Sequence, residues 1–108
     1  MYLIDTNVWL ERLLDHPQAT AVEQFLTHTP TTALFLTDFA FHSLAIILLR
    51  LKKPTLWRTF LQDTMIDGHV GLLSVLPQGM LRLNEVMDAY RLDFDDAYQY
   101  TAYGSGNA

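Results

Sequence analysis

Cysteine is missing from this chain, which excludes disulfide staples and thiolate zinc sites and makes a cytoplasmic setting the default. Basic residues are scarce. Seven Lys and Arg face twelve Asp and Glu, a formal net charge of −5, and the pI is near 5.1. This balance argues against a protein that grips nucleic acid by bulk counterion release. It leaves room for carboxylate-rich metal chemistry, because a bound cation restores attraction to phosphate. Long hydrophobic runs are also lacking. The longest, Leu44 to Leu49, ends at Arg50 and falls short of the roughly 20 residues that span a bilayer. No signal peptide precedes the first apolar segment, so no membrane association is expected. Gly-rich phosphate loops, His-Glu-x-x-His helices and Gly-x-Ser-x-Gly elbows are absent, which removes support for P-loop NTPases, zincins and serine hydrolases.

What remains is enough for one core. The chain has 108 residues, of which 50% are hydrophobic and 18% charged, the profile of a single globular domain. Tyr2 to Ile4 reads as a short strand. Asn7 to about Asp15 has a helical apolar period stopped at His16-Pro17, and Pro17 opens a second helix with Ala21, Val22, Phe25 and Leu26 inward. Leu34 to Leu36 is the next strand. Thr37 or Asp38 caps a third helix reaching about Lys53, almost wholly apolar and so expected to be buried or at an interface. Pro54 starts a fourth helix to about Ile66, and Asp67-Gly68 marks a turn. Val70 to Leu76 is predicted as a third strand, Met80 to Tyr90 as a helix and Asp95 to Tyr103 as the last helix. Strands alternating with helices imply a parallel α/β sheet.

The acids stand out against this frame. Met1-Tyr2-Leu3-Ile4-Asp5-Thr6-Asn7 carries a buried strand into a carboxylate at its C-terminal tip, where open α/β sheets bind ligands. A second knot, Asp93-Phe94-Asp95-Asp96-Ala97, lies far along the chain. If the two meet, they make a site for a hard divalent cation, Mg²⁺ or Mn²⁺. A metal held there would activate water for phosphodiester hydrolysis. Asp5 and Asp96 are the expected metal ligands, with Asp38 and Asp95 as further catalytic candidates. Thr6 and Asn7 would orient Asp5 or water. Asp5 as a helix cap, and adjacent carboxylates complementing a helix dipole, are the structural alternatives. Asp93 is expected to be a cap or surface residue, and Ala97 to permit the close packing that makes Asp96 the inward acid.

The ordered set Ile4-Asp5-Thr6-Asn7, Thr37-Asp38 opening a buried helix, and Leu92 to Ala97 resembles the PIN domain, most closely the VapC-type toxin ribonucleases of toxin–antitoxin pairs. The resemblance covers residues 1–103, leaving 104–108 as a flexible tail. It implies a PIN-like three-layer α/β/α fold with a short parallel sheet flanked by helices. It also implies a metal-dependent endoribonuclease acting on RNA with Mg²⁺ or Mn²⁺, often a homodimer and silenced by an antitoxin protein. Two departures stand out. Ser43 occupies the position where the family usually has a Glu, with Asp38 or His42 as substitutes, and the family's last strands after Tyr103 have no counterpart.

The remaining residues have plainer expectations. His16, His28 and His69 are surface or capping residues, and His42 is a hydrogen-bonded core histidine. Arg50, Lys52, Lys53 and Arg58 form a solvated helix end rather than a nucleic-acid patch. Tyr90, Tyr98, Tyr100 and Tyr103 pack or line interfaces rather than stack RNA. The rival to an enzyme is a catalytically degenerate PIN-like module for protein interaction or dimerisation through the third helix. A receiver domain ranks below both, for want of paired acids after the first strand and a late Lys.

Overall fold

A computed structural model describes residues 2–106. Three short strands, β1 (Tyr2–Leu3), β2 (Leu34–Thr37) and β3 (Gly71–Leu73), form a parallel sheet in the order β1-β2-β3. Helices α1 (Thr6–Leu13) and α2 (Ala19–Thr27) join β1 to β2. Helix α3 (Asp38–Arg50) and the following α4 (Pro54–Thr59) lead toward β3, and α5 (Gly79–Tyr90) and α6 (Phe94–Gly106) close the chain. This is the expected three-layer α/β/α arrangement. Helix α6 runs through the first three positions of the expected tail, and residues 107 and 108 lie outside the described residues.

Two apolar clusters flank the sheet. One gathers Trp9, Leu26, Leu44 and Phe60 from α1 to α4 and its continuation around Leu34 and Leu36 of β2. The other joins Leu83 and Val86 of α5 to Ala97, Tyr98 and Ala102 of α6, beneath Val75. The fully buried Ala97 lets α6 approach closely, as its small side chain suggests.

Helix α3 corrects one expectation in part. It buries a single stripe, Ala40, Leu44 and Leu48, and leaves Phe39, Ile46 and Leu49 exposed. His42 lies on that exposed side against the Phe41 ring and is not a core histidine. The helical period explains this: residue 42 is two from Leu44, on the far side of the helix from it.

Further differences lie at element ends. After α4 the backbone widens into a π-helical stretch, Phe60–Ile66, with the Asp67 N–H donating to the Gln62 carbonyl at 2.8 Å. β3 covers only Gly71–Leu73, in the first half of the predicted strand. Helices α1 and α3 close with paired reverse hydrogen bonds: His16 N–H to Glu11 and Asp15 N–H to Arg12, then Lys53 N–H to Leu48 and Lys52 N–H to Leu49. Asp15 and Lys52 adopt the left-handed backbone there, at φ 54 and φ 58, in positions that usually hold glycine.

One glycine is required by packing. Gly71 pairs with Phe35 across the sheet, and a Cβ at residue 71 would fall onto the Phe35 ring. Gly71→Ala is therefore expected to cost about 1–3 kcal/mol by overpacking. Urea unfolding measures this, and Phe35→Leu in the same chain should recover most of the loss.

Candidate active site

The parallel strands bring their C-terminal tips to one edge of the sheet. Asp5 follows β1, Asp38 follows β2, and Ser74 and Val75 follow β3. Leu3 pairs with Phe35 and the Ile4 N–H donates to the Phe35 carbonyl at 2.8 Å. Carrying that register on sets Asp5 beside Thr37, about 5 Å away in the backbone.

Asp5 sits at the N-cap position of α1 with extended backbone, φ −70 and ψ 153, yet its side chain makes no capping hydrogen bond. Its carbonyl accepts the N–H groups of Val8 and Trp9 at 3.1 and 3.4 Å. The carboxylate is thus half-buried and not consumed by the helix, so capping does not account for it. Thr37 presents the contrast. Its hydroxyl caps α3 through the Ala40 N–H at 2.9 Å, which leaves Asp38 free for another task.

Asp38 spends both carboxylate oxygens on the protein. Oδ1 accepts the Tyr98 hydroxyl at 2.6 Å and the Phe39 N–H at 2.8 Å, and Oδ2 accepts the Ser74 hydroxyl at 3.1 Å. The Tyr98 oxygen in turn accepts the Val75 N–H at 3.1 Å. Phe39 packs against the rings of Phe94 and Tyr98 at 5.7 and 5.5 Å between centroids. This network ties the start of α3 to the end of β3 and to the first turns of α6. It fixes where the second acidic knot stands.

Within that knot the three acids separate. Asp93 caps α6: its Oδ1 accepts the Asp96 N–H at 3.4 Å and its carbonyl the Ala97 N–H at 3.0 Å. Asp95 is exposed and engages no other side chain among the described residues. Asp96 lines a large groove together with Ile4, the residue before Asp5. Asp5 thus directly follows a residue that shares this groove with Asp96, and each of the two acids stands at or within the first turn of a helix. Ser43 is half-buried on α3 and supplies no carboxylate.

Among the described residues, no three His, Asp or Glu side chains gather in the way a protein-only metal cage needs. Two carboxylates without protein donors nevertheless suit Mg²⁺ or Mn²⁺. Such ions commonly take one or two protein carboxylates and keep several waters. Asp38, already holding three donors, has little capacity left as a ligand.

Tyr98 was read from sequence only as a packing residue; its hydroxyl link to Asp38 had no local signal. Burial, the hydrogen bond to Asp38 and the nearby Asp38 charge raise its pKa above the usual 10.0, while the Val75 N–H works the other way. A pKa raised on folding means that the folded state holds the proton more tightly. The linked stability is complete below about pH 10 and is lost as pH rises through the folded pKa. Unfolding midpoints between about pH 9 and pH 12 should fall more steeply for the wild type than for Tyr98→Phe.

A small α/β domain with acids at the C-terminal edge of a parallel sheet is the class these features define. The PIN domain family model matches residues 2–103, and the chain belongs to that family. PIN domains are broadly nucleases that use divalent metals and act on RNA. Comparison with curated proteins and with solved structures returns no match. Among the described residues no helix is long and apolar enough to cross a membrane.

Proposed function

We propose that this domain is a metal-dependent endoribonuclease of the VapC toxin type, cutting RNA phosphodiester bonds at the C-terminal edge of the sheet. The observation that carries the reading is the uncommitted Asp5 carboxylate at the tip of β1, beside the groove that Asp96 lines. Asp5 and Asp96 hold the Mg²⁺ or Mn²⁺ ion. When bound, it supplies charge against the phosphate oxygens and lowers the pKa of water. The chain's own part is placement. Thr6 and Asn7, in the first turn of α1, orient Asp5 or a water. Asp38 acts through Tyr98, holding the first turns of α6 so that Asp96 meets Asp5. Asp95 remains at the solvent side of the site, where it can meet RNA-bound cations. The fitting setting is the cytoplasm, with an antitoxin protein as partner. The exposed stripe of Phe39, Ile46 and Leu49 on α3 suits a homodimer.

A second reading has its own support. Ser43 in the usual Glu position, and the lack of a third acid beside Asp5 and Asp96 among the described residues, favour a PIN domain that has kept its fold as an interaction module. Single-stranded RNA incubated with the wild-type chain and Mn²⁺ separates the two. Cleavage that chelation stops supports the enzyme. Intact RNA, together with no Mn²⁺ binding by calorimetry, leaves the module.

A further inference from the structure

The acids of this chain are spread unevenly. None lies between Asp38 and Asp63, a stretch that covers α3 beyond its first residue, all of α4 and the start of the π-helical turn. The same stretch holds Arg50, Lys52, Lys53 and Arg58, more than half of the basic residues. All four are exposed. None has a carboxylate partner among the described residues, whereas Arg12 and Arg82 pair with Glu23 and Glu85. Sequence alone favours a solvated helix end here, and the structure weighs against it. The dipole of α3 rewards a cation within its last turn, which suits Arg50. Arg58 lies where α4 runs on without a break into the π-helical stretch, so no helix end calls for it. Lys52 holds the left-handed position, φ 58, where glycine is usual. The Lys53 and Lys52 N–H groups close α3 onto the Leu48 and Leu49 carbonyls at 2.9 and 3.0 Å, so these cations stand on a fixed turn. Like charges grouped without a counter-ion repel one another, and an anionic partner relieves that cost.

We propose that this basic turn is a second RNA contact, which holds the sugar–phosphate backbone at a distance from the cutting edge. PIN domains act on RNA, yet the catalytic edge is lined by acids, Asp5, Asp38 and the knot at Asp93, Asp95 and Asp96. Such an edge repels phosphate until a cation is bound, so the grip comes from elsewhere. A nucleic-acid strand carries a charge at every residue and can meet several cations at once. Position sets the consequence. Helix α3 starts at the catalytic edge and ends at the turn, which puts Arg50 about 18 Å from Asp38 at 1.5 Å of rise per residue. At roughly 3.4 Å per phosphate in a stacked strand, that gap is about five nucleotides. RNA long enough to reach both places is held more tightly than RNA that covers the site alone. The grip needs no metal. The length rule rests on the nuclease reading.

The test uses the wild-type chain in EDTA and a labelled oligouridylate of about twelve nucleotides, with binding read by fluorescence anisotropy between about 50 and 200 mM salt. Log affinity is expected to fall with log salt at a slope of about −3, from about −0.7 for each of four phosphate contacts. Arg50→Gln, Lys52→Gln, Lys53→Gln and Arg58→Gln together should flatten that slope and weaken binding at least about tenfold at the lowest salt, with an unchanged circular dichroism spectrum. Arg12→Gln, Arg82→Gln and Arg91→Gln together remove the other cations and should leave most of the slope in place. Equal losses in the two variants would overturn the proposal, because net charge alone would then carry the binding. So would a wild-type slope near zero. Leu49 and Leu51 are exposed beside the cations, and an acidic, apolar protein segment is the competing occupant. A peptide of alternating Glu and Leu that binds where RNA does not, and is lost in the quadruple variant, would overturn the proposal in its favour. With Mn²⁺ added, the quadruple variant should raise KM on the long RNA at least about tenfold with kcat within about threefold, and should cut a trinucleotide as the wild type does. Unchanged KM on the long RNA would overturn the length rule. RNA bound as expected but never cut would uphold the basic turn and remove the nuclease reading.

Discussion

Asp5→Asn combined with Asp96→Asn is expected to abolish Mn²⁺ binding seen by calorimetry and to cut RNA cleavage at least a hundredfold. The size follows from what each carboxylate does. Changes in groups that merely orient a metal ligand already cost about 10–100-fold in affinity or activity. Removing both charged ligands of a two-carboxylate site exceeds that range. Asn keeps the shape of Asp and retains one acceptor oxygen, and neither side chain holds the fold together: Asp5 makes no capping bond, and Asp96 is exposed. Circular dichroism and thermal unfolding should therefore match the wild type, so lost activity would report on the site rather than on folding. Asp95→Asn serves as the internal control, with an effect of no more than about threefold, because Asp95 is exposed and does not line the groove. Equal losses from Asp95→Asn and Asp96→Asn would refute the assignment and point to diffuse acidity. Full cleavage by the double variant would remove both ligands from the mechanism.

Much of this arrangement could be read from the residues, and the boundary has a physical basis. Leu3-Ile4-Asp5 was legible because a run of apolar side chains ending in a carboxylate carries its own period and stop. Asp93 as the cap of α6 and Ala97 as the close-packing residue were legible for the same local reason. The link between Asp38 and Tyr98 was not, since it joins residues 60 apart in the chain and no local pattern encodes such a meeting. The exposed side of α3 was hidden by composition. A helix that is apolar nearly all round does not announce which stripe faces inward, and His42 was placed in the core on that account. The closures of α1 and α3 at Asp15 and Lys52 escaped because the glycine that normally signals a left-handed helix end is replaced there by charged residues.

That long-range link yields the second large effect. Asp38→Ala is expected to destabilise the domain by about 2–3 kcal/mol, since it removes hydrogen bonds to a charged acceptor and strands the buried Tyr98 hydroxyl. At the size of this domain each kcal/mol shifts Tm by roughly 4–8 °C, so the loss should be plain in a thermal scan. Tyr98→Phe should cost about 1–2 kcal/mol, because it removes the hydroxyl that needs a partner but leaves the Val75 N–H without its acceptor. The double variant should fall short of the sum by about 1–2 kcal/mol, the coupling expected of residues in one network. Asp38→Asn decides what the coupling is for. It keeps an acceptor for Tyr98, so it should recover much of the stability lost in Asp38→Ala. If Asp38 only positions α6, its Mn²⁺ affinity should stay within about tenfold of the wild type. If Asp38 is itself a ligand, Asp38→Asn should lose Mn²⁺ as fully as Asp5→Asn while remaining stably folded. The geometry favours the first outcome, because an oxygen already taken by Tyr98 at 2.6 Å can turn toward a cation only by releasing the tie that sets α6 in place.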